Sequence, residues 1–205
     1  MQVASGILRG IPLHSPRGSQ TRPSTERLRQ ATFNILRHYR WHDGAIVEGA
    51  KVIDLFSGTG AWGIEAISNG AAEVWFVESH ALALRTLHEN LKVVAANLQT
   101  QGFPVPALHV IKKDVGHAYQ KLPEARVVFC DPPYEKNWAE KVLDLETRYN
   151  RIEQQGLLLF EAGVKESVVS QDPRIRHFDT KIYGDSAVHF FIKQPHHGSQ
   201  GNLSG

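Results

Sequence analysis

Apolar positions recur along this 205-residue chain in two alternating rhythms. Runs of strand length, rich in Val, Ile, Leu and Phe, occur at 50–56, 73–78, 108–112, 126–130 and 156–161. Between them lie stretches whose apolar residues fall three and four apart, the spacing of one helix face. Ala83, Leu84, Leu87, Leu91 and Val94 form the clearest such face and predict a helix over 80–97. Helices are also predicted over 60–69 and 137–148, with a short one near 115–122. Strands alternating with helices predict βαβ units and a parallel sheet. Two last strands, at about 175–183 and 187–193, are separated only by Gly184, Asp185 and Ser186. That is too short for a crossover helix, so these two must pair antiparallel.

The beginning of the chain follows neither rhythm. Gly6, Gly10, Pro12, Pro16 and Gly18 break residues 1–20 into short pieces, as in a small hairpin or extended arm. A turn at 21–24 leads into a helix that Ser24 or Thr25 can cap. Its buried face is read as Leu28, Ala31, Phe33, Ile35 and Leu36, ending near Tyr39. The division expected is a basic arm and helix at 1–41, an α/β body at 50–193 and a tail at 194–205. The tail, rich in His, Gly, Ser and Gln, is expected to be disordered.

Composition narrows the class. With 41% hydrophobic residues the chain can bury a sizeable core, and it contains no apolar run of membrane length. The N-terminus lacks a signal peptide's apolar stretch. Cys130 is alone, which excludes an internal disulfide and fits a reducing compartment; a cytoplasmic protein is expected. Net charge is only +2 but unevenly spread. Residues 1–41 hold seven Arg (Arg9, Arg17, Arg22, Arg27, Arg29, Arg37, Arg40) against Glu26 alone, a balance of +6 that leaves −4 for the rest. Arginine's planar fork matches phosphate. Three of these residues, Arg22, Arg27 and Arg29, lie at or near a helix N-terminus, where cations oppose the helix dipole. Arg9, Arg17, Arg22, Arg27 and Arg29 are therefore candidates for contact with nucleic acid rather than for stabilising the helix.

Candidate chemistry gathers just past the predicted strands. Asp54 lies inside the first strand, and Ser57-Gly58-Thr59-Gly60 breaks it before the next helix. Such a turn presents backbone N–H groups to a polar or charged ligand. With Gly63 the glycines spell G-x-G-x-x-G, a pattern that alone also fits a plain tight turn. Glu78 ends the second strand 18 residues after Gly60, where a ribose-binding carboxylate sits in nucleotide-binding α/β folds. Asp114 ends the third strand and can accept from an adenine amino group, or simply cap the helix after it. No spacing of Cys or His reads as a metal site.

Asp131-Pro132-Pro133-Tyr134, directly after the fourth strand, discriminates between nucleoside cofactors. Two prolines fix an extended backbone. The Asp131 carboxylate and the Pro132 carbonyl can each accept a hydrogen from one NH₂ group, and Tyr134 offers a flat face for stacking. This is a receptor for the exocyclic amine of an unpaired base. A dinucleotide oxidoreductase would leave the motif unexplained.

Together, Asp54-Leu-Phe-Ser-Gly-Thr-Gly60, Glu78, Asp114 and Asp131–Tyr134 resemble the S-adenosylmethionine-dependent amino-methyltransferases. The likeness extends to Gly6–Gly10, to the run from Thr21 to Leu36, to Gly63–Ala71 and to the closing pair through Phe191. These stretches resemble the bacterial 16S rRNA guanine-N2 methyltransferases often called RsmD, over about residues 5–193. The resemblance implies a Rossmann-like class I methyltransferase with a seven-stranded, mostly parallel sheet whose last strand is antiparallel. It implies S-adenosylmethionine as cofactor, held by Asp54, Phe56, Ser57, Gly58, Thr59, Gly60, Glu78, Ser79, Asp114 and Val115. It further implies catalysis at Asp131, Pro132, Pro133 and Tyr134 on 16S rRNA or the small ribosomal subunit, by a monomer without a metal. Ser24 and Gln30 stand where Thr and Glu are usual, Trp62 where Leu is, and Val115 where Ala is. The alternatives are the same chemistry on DNA adenine-N6 or protein glutamine, and a non-catalytic RNA-binding relative.

Overall fold

The structure is a computed structural model that describes residues 1–15, 23–38, 45–133 and 137–195. Five helices and seven strands follow in the order α1 (Pro23–His38), β1 (Lys51–Leu55), α2 (Ala61–Ser68), β2 (Glu73–Glu78), α3 (Ala81–Thr100), β3 (Ala107–Lys112), α4 (Val115–Ala118), β4 (Ala125–Cys130), α5 (Trp138–Tyr149), β5 (Ile152–Gly163), β6 (Ile175–Tyr183) and β7 (Ser186–Lys193). All seven strands form one sheet in the order β3-β2-β1-β4-β5-β7-β6. β1 to β5 pair in parallel, and β7 runs antiparallel between β5 and β6. This is the expected Rossmann-like class I arrangement.

Alternation along the strands sorts the core into two layers. Val52, Val127, Phe129, Leu157, Leu159, Val188 and Phe190 face the side covered by α1, α2 and α3. Ile53, Leu55, Val128, Cys130, Leu158, Phe160 and Phe191 face α4 and α5. Val3, Leu8 and Leu13 of the arm join the first layer, so the arm packs into the body's own core. The arm is a tight hairpin: Val3 N–H donates to Ile11 O, Gly10 N–H to Val3 O and Leu13 N–H to Met1 O.

Boundaries differ where side chains gave a mixed signal. β5 begins at Ile152, several residues before the apolar run, because polar Glu153, Gln154 and Gln155 continue the strand. α3 runs three residues beyond Asn97, and the following loop is correspondingly shorter. The last residue of the expected first helix, Tyr39, lies outside the described residues, as do Arg17, Arg22, Arg40, Tyr134 and the tail from 196 onward. The side chains of Ser24 and Thr25, the expected caps, also lie outside them. No helix among the described residues is long and apolar enough to cross a membrane.

Candidate active site

In an open parallel sheet, ligands bind beyond the carboxyl ends of the strands. Here β1 gives way to a strained turn at that edge. Phe56, a bulky residue, is held at φ 57, a conformation rare outside glycine, and Gly58 and Gly60 follow at φ 56 and φ 87. Gly60 is also the residue preceding α2. The turn is secured from two directions. Asn90, fully buried on α3, donates to the carbonyls of Thr59 (2.9 Å) and His14 (3.2 Å) and accepts from His14 N–H (2.7 Å). From below, Asp54 Oδ2 accepts the Gly63 N–H at 2.8 Å.

Two unpartnered atoms and one open stretch of backbone lie at or near this turn. Asp54 is fully buried, and its other oxygen, Oδ1, has no partner among the described residues. Ser57 Oγ is likewise buried and unpartnered. A buried polar atom without a partner costs free energy, so these orphans fit the polar, ammonium-bearing end of a bound molecule. A Cβ on Gly58 would meet only the Phe56 carbonyl oxygen, at 3.9 Å, so its backbone is open to close approach. Burial pushes the Asp54 carboxyl up to about 8, against the Gly63 N–H and Arg29, which lower it. An ammonium group opposite Oδ1 would favour the ionised form.

Glu78 closes the second strand as expected, but its carboxylate is already engaged. Oε2 accepts the Gly58 N–H at 2.8 Å, and Oε1 accepts those of Ser79 and His80 at 2.7 Å each. A ribose must share these lone pairs or draw the side chain outward. Asp114 Oδ1 accepts the Gly116 N–H at 2.9 Å and so caps α4. A carboxylate has about four acceptor positions, so capping is compatible with holding an amino group. The side chain of Val115 is buried in the layer beneath α4 and α5.

Asp131 follows β4 on the same edge, its N–H directed at Leu55 O of β1 (3.4 Å), with Pro132 buried and Pro133 exposed behind it. The Asp131 side chain keeps an open face. Surrounding protein nonetheless pushes its carboxyl up to about 6, against Arg29 and the Trp62 indole N–H, which hold it down. The aromatic rings of Phe33, Trp62 and Phe129 pack beneath this point, with Trp62 and Phe129 stacked at 5.2 Å. Trp62 therefore lies under Asp131.

Residues 1–192 match the family described as Conserved hypothetical protein 95. The chain belongs to that family. Among the family's similar proteins, "Putative rRNA methyltransferase YlbH" of Bacillus subtilis is 31% identical over 165 residues, covering 78% of this chain and 82% of the relative. "Ribosomal RNA small subunit methyltransferase D" of Escherichia coli is 25% identical over 194 residues, covering 95% of this chain and 90% of the relative. The solved structure "Putative methyltransferase yhhF from Escherichia coli" superposes with a TM-score of 0.76 at 24% identity, over 95% of this chain and 98% of that one, and supports the fold. The family resemblance carried by the motifs is upheld.

The basic residues fare unequally. Arg27 is exposed on α1. Arg9 is exposed at the hairpin tip, beside Ile7 and Leu8, which bond to Ser68 at the far end of α2 from the glycine turn. A cleft of about 700 Å³ opens there, lined by Ser5, Arg9, Phe33, Arg37 and Glu48; it holds none of the strand-end acids. Arg29 does not belong with the surface arginines: it is only 5% exposed. It sits with Thr32, Phe33 and Leu36, all buried, at the 29-32-33-36 spacing of one helix face. Glu65, which the sequence did not single out, holds the arm by accepting the N–H groups of Ala4 and Ser5 and the Ser5 hydroxyl.

Proposed function

We propose that this protein transfers a methyl group from S-adenosylmethionine to the exocyclic N2 amine of a guanine in 16S rRNA. The observation that carries the reading is Asp131-Pro132-Pro133, at the carboxyl end of β4, one strand away from the glycine turn and its orphaned Asp54 and Ser57 atoms. The names of the relatives, rRNA methyltransferases of bacteria, support the substrate class. A distant structural neighbour, "SMU.776, a putative methyltransferase complexed with SAH", supports the cofactor class.

S-adenosylmethionine supplies an electrophilic methyl on sulfonium sulfur, which departs as a neutral thioether when the carbon–nitrogen bond forms. The protein's own part is placement. Asp54 Oδ1 and the turn after it receive the amino-acid end, Glu78 the ribose and Asp114 the adenine amine. Asp131 and the Pro132 carbonyl each accept one N–H of the acceptor amine, aiming its lone pair at the methyl. A guanine amine is a weak nucleophile, so orientation carries much of the rate; at best this is worth about 7–11 kcal/mol. Asp131 stabilises the positive charge that grows on nitrogen, and the nitrogen then releases its proton to water at the open face of the site. Tyr134, outside the described residues, is assigned to stacking on the base. Exposed Arg27 and Arg9, with Arg17 and Arg22, are assigned to rRNA phosphates.

The test is methyl transfer from labelled S-adenosylmethionine to small ribosomal subunits that lack the modification, with DNA and total protein as parallel acceptors. Label recovered as N2-methylguanine in 16S rRNA is expected. Label in N6-methyladenine or in protein overturns the acceptor and leaves the cofactor.

A further inference from the structure

The cleft at the hairpin tip is built from segments far apart in the chain. The arm supplies Arg9, α1 supplies Gln30, Asn34 and Arg37, the end of α2 leads to Asn69, and Phe103 stands just past α3. At about 700 Å³ the cleft is large enough for a nucleotide, since small-molecule pockets span about 300–1,000 Å³.

Its walls are held by hydrogen bonds. Ser68 ties down the arm: its carbonyl accepts the Ile7 N–H (2.8 Å), and its hydroxyl accepts the Leu8 N–H (2.9 Å) and donates to Ser5 O (2.5 Å). A Cβ at Gly6, which has φ 75, would lie 1.9 Å from Ser68 O, so glycine alone lets the arm lie this close. Asn69 Nδ2 donates to Ser5 Oγ and to Glu65 O, at 2.8 Å each. That fixes the amide, and its Oδ1 accepts from Arg37 Nη2 at 2.7 Å. The Arg37 guanidinium is thus held at the cleft wall while the residue stays exposed.

Arg27, Gln30, Asn34 and Arg37 fall three, four and three residues apart, one stripe of α1. Phe33 packs on Trp62 at the start of α2, and Arg37 bonds Asn69 just past its end, so α1 leads away from the catalytic edge. From Arg27 to Arg37 the stripe covers about 15 Å, with an arginine at each end and two amides between. Guanidinium forks match phosphate, and amides can read the edge of an unpaired base. Ile7 and Phe103, both on the lining, are 42% and 41% exposed, and an exposed aromatic face suits base stacking. Glu48 is the single acid among the described lining residues, against Arg9 and Arg37.

We propose that this cleft is a second rRNA subsite. It takes a nucleotide of single-stranded rRNA away from the target guanine, with its phosphate at Arg37 and Arg9 and its base against Phe103 and the Gln30 and Asn34 amides. The inference rests on the proposed rRNA reading and deepens it. A contact about 15 Å from the catalytic edge is about four stacked steps of about 3.4 Å away, so the protein reads the path of the RNA around the target as well as the target base.

Two measurements test this. Cys130 is buried, so Glu48→Cys places a reactive thiol on the cleft lining without a competing one. The full chain, carrying a short photo-crosslinker on that thiol, is bound to unmodified small subunits and irradiated. Crosslinks to a few discrete nucleotides of 16S rRNA are expected. Crosslinks to a ribosomal protein alone, or none from bound enzyme, overturn the proposal. In the second measurement Arg37→Gln, which keeps a donor for Asn69, should weaken subunit binding by about tenfold and lower the salt slope by roughly one. KM for the subunit should rise while kcat and S-adenosylhomocysteine affinity are kept. An unchanged salt slope, whatever the melt shows, would make Arg37 a pin for the arm and overturn its part. Wild-type protein that methylates no rRNA would instead sink the function on which the subsite rests.

Discussion

Gly58 of the turn and Gly63 of the helix behind it do different work, and alanine at each should separate cofactor binding from packing. A Cβ at Gly63 would lie 2.2 Å from Phe76 Cε1, where ordinary contact begins at 3.4 Å, so more than an ångström must be recovered. Phe76 is fully buried in the core layer beneath α2 and α3 and cannot yield easily. Overpacking costs about 1–3 kcal/mol, and a clash with three atoms of one buried ring belongs in the upper half of that range, about 2–3 kcal/mol. Alanine's better helix propensity returns about 1 kcal/mol, so the clash wins and Gly63→Ala should be destabilised by about 1–2 kcal/mol. At about 2–4 °C per kcal/mol for a domain this size, Tm should fall by roughly 2–8 °C. Gly58→Ala meets open space and suffers chiefly from its φ of 56, a strain of about 1–2 kcal/mol. Its new methyl group, however, projects into the open space where, on the proposed reading, the polar end of the cofactor approaches the backbone. Urea melts and calorimetric titration with S-adenosylhomocysteine read both quantities. Gly58→Ala should lose about tenfold or more in affinity for a modest change in Tm; Gly63→Ala should show the reverse emphasis. A Gly63→Ala protein as stable as the wild type, or a Gly58→Ala protein that binds normally, would refute the division.

Other outcomes follow from the same geometry. Folded Asp54 keeps its proton up to about pH 8, while the unfolded chain releases it near 3.8, so this group makes the fold less stable as pH rises between those values and not beyond. Asp54→Asn keeps an acceptor for Gly63 but abolishes the titration. Relative to wild type its stability should improve with pH, by at most about 1.4 kcal/mol per unit between pH 5 and 8; a pH-independent difference in urea melts would contradict this. Arg27→Ala and Arg9→Ala should each weaken rRNA binding and lower the salt slope by roughly one, with S-adenosylhomocysteine affinity unchanged; an unaltered slope would make these arginines structural.

Much of the fold was legible because it is written in local patterns. The strand–turn–helix at 51–68 combines an apolar run with glycines whose positive φ no other residue adopts comfortably, and Asp131-Pro132-Pro133 advertises its own rigidity. What escaped depends on contacts between distant segments. Arg29 reads as one more cation of a basic arm until the burial of Thr32, Phe33 and Leu36 shows which face it shares. Asn90 is an ordinary helical residue whose amide happens to reach both the arm and the glycine turn. The insertion of β7 between β5 and β6 is likewise a matter of pairing, which hairpin length does not determine.

The most direct test of the central claim uses Asp131→Ala, checked for folding by its melt. S-adenosylhomocysteine affinity and the single-turnover rate of methyl transfer to unmodified small-subunit rRNA are measured side by side. Affinity is predicted to stay within about threefold of wild type while the rate falls by about 100-fold or more. Affinity and rate falling together would place Asp131 in the cofactor site and contradict its role as the acceptor that aims the substrate amine.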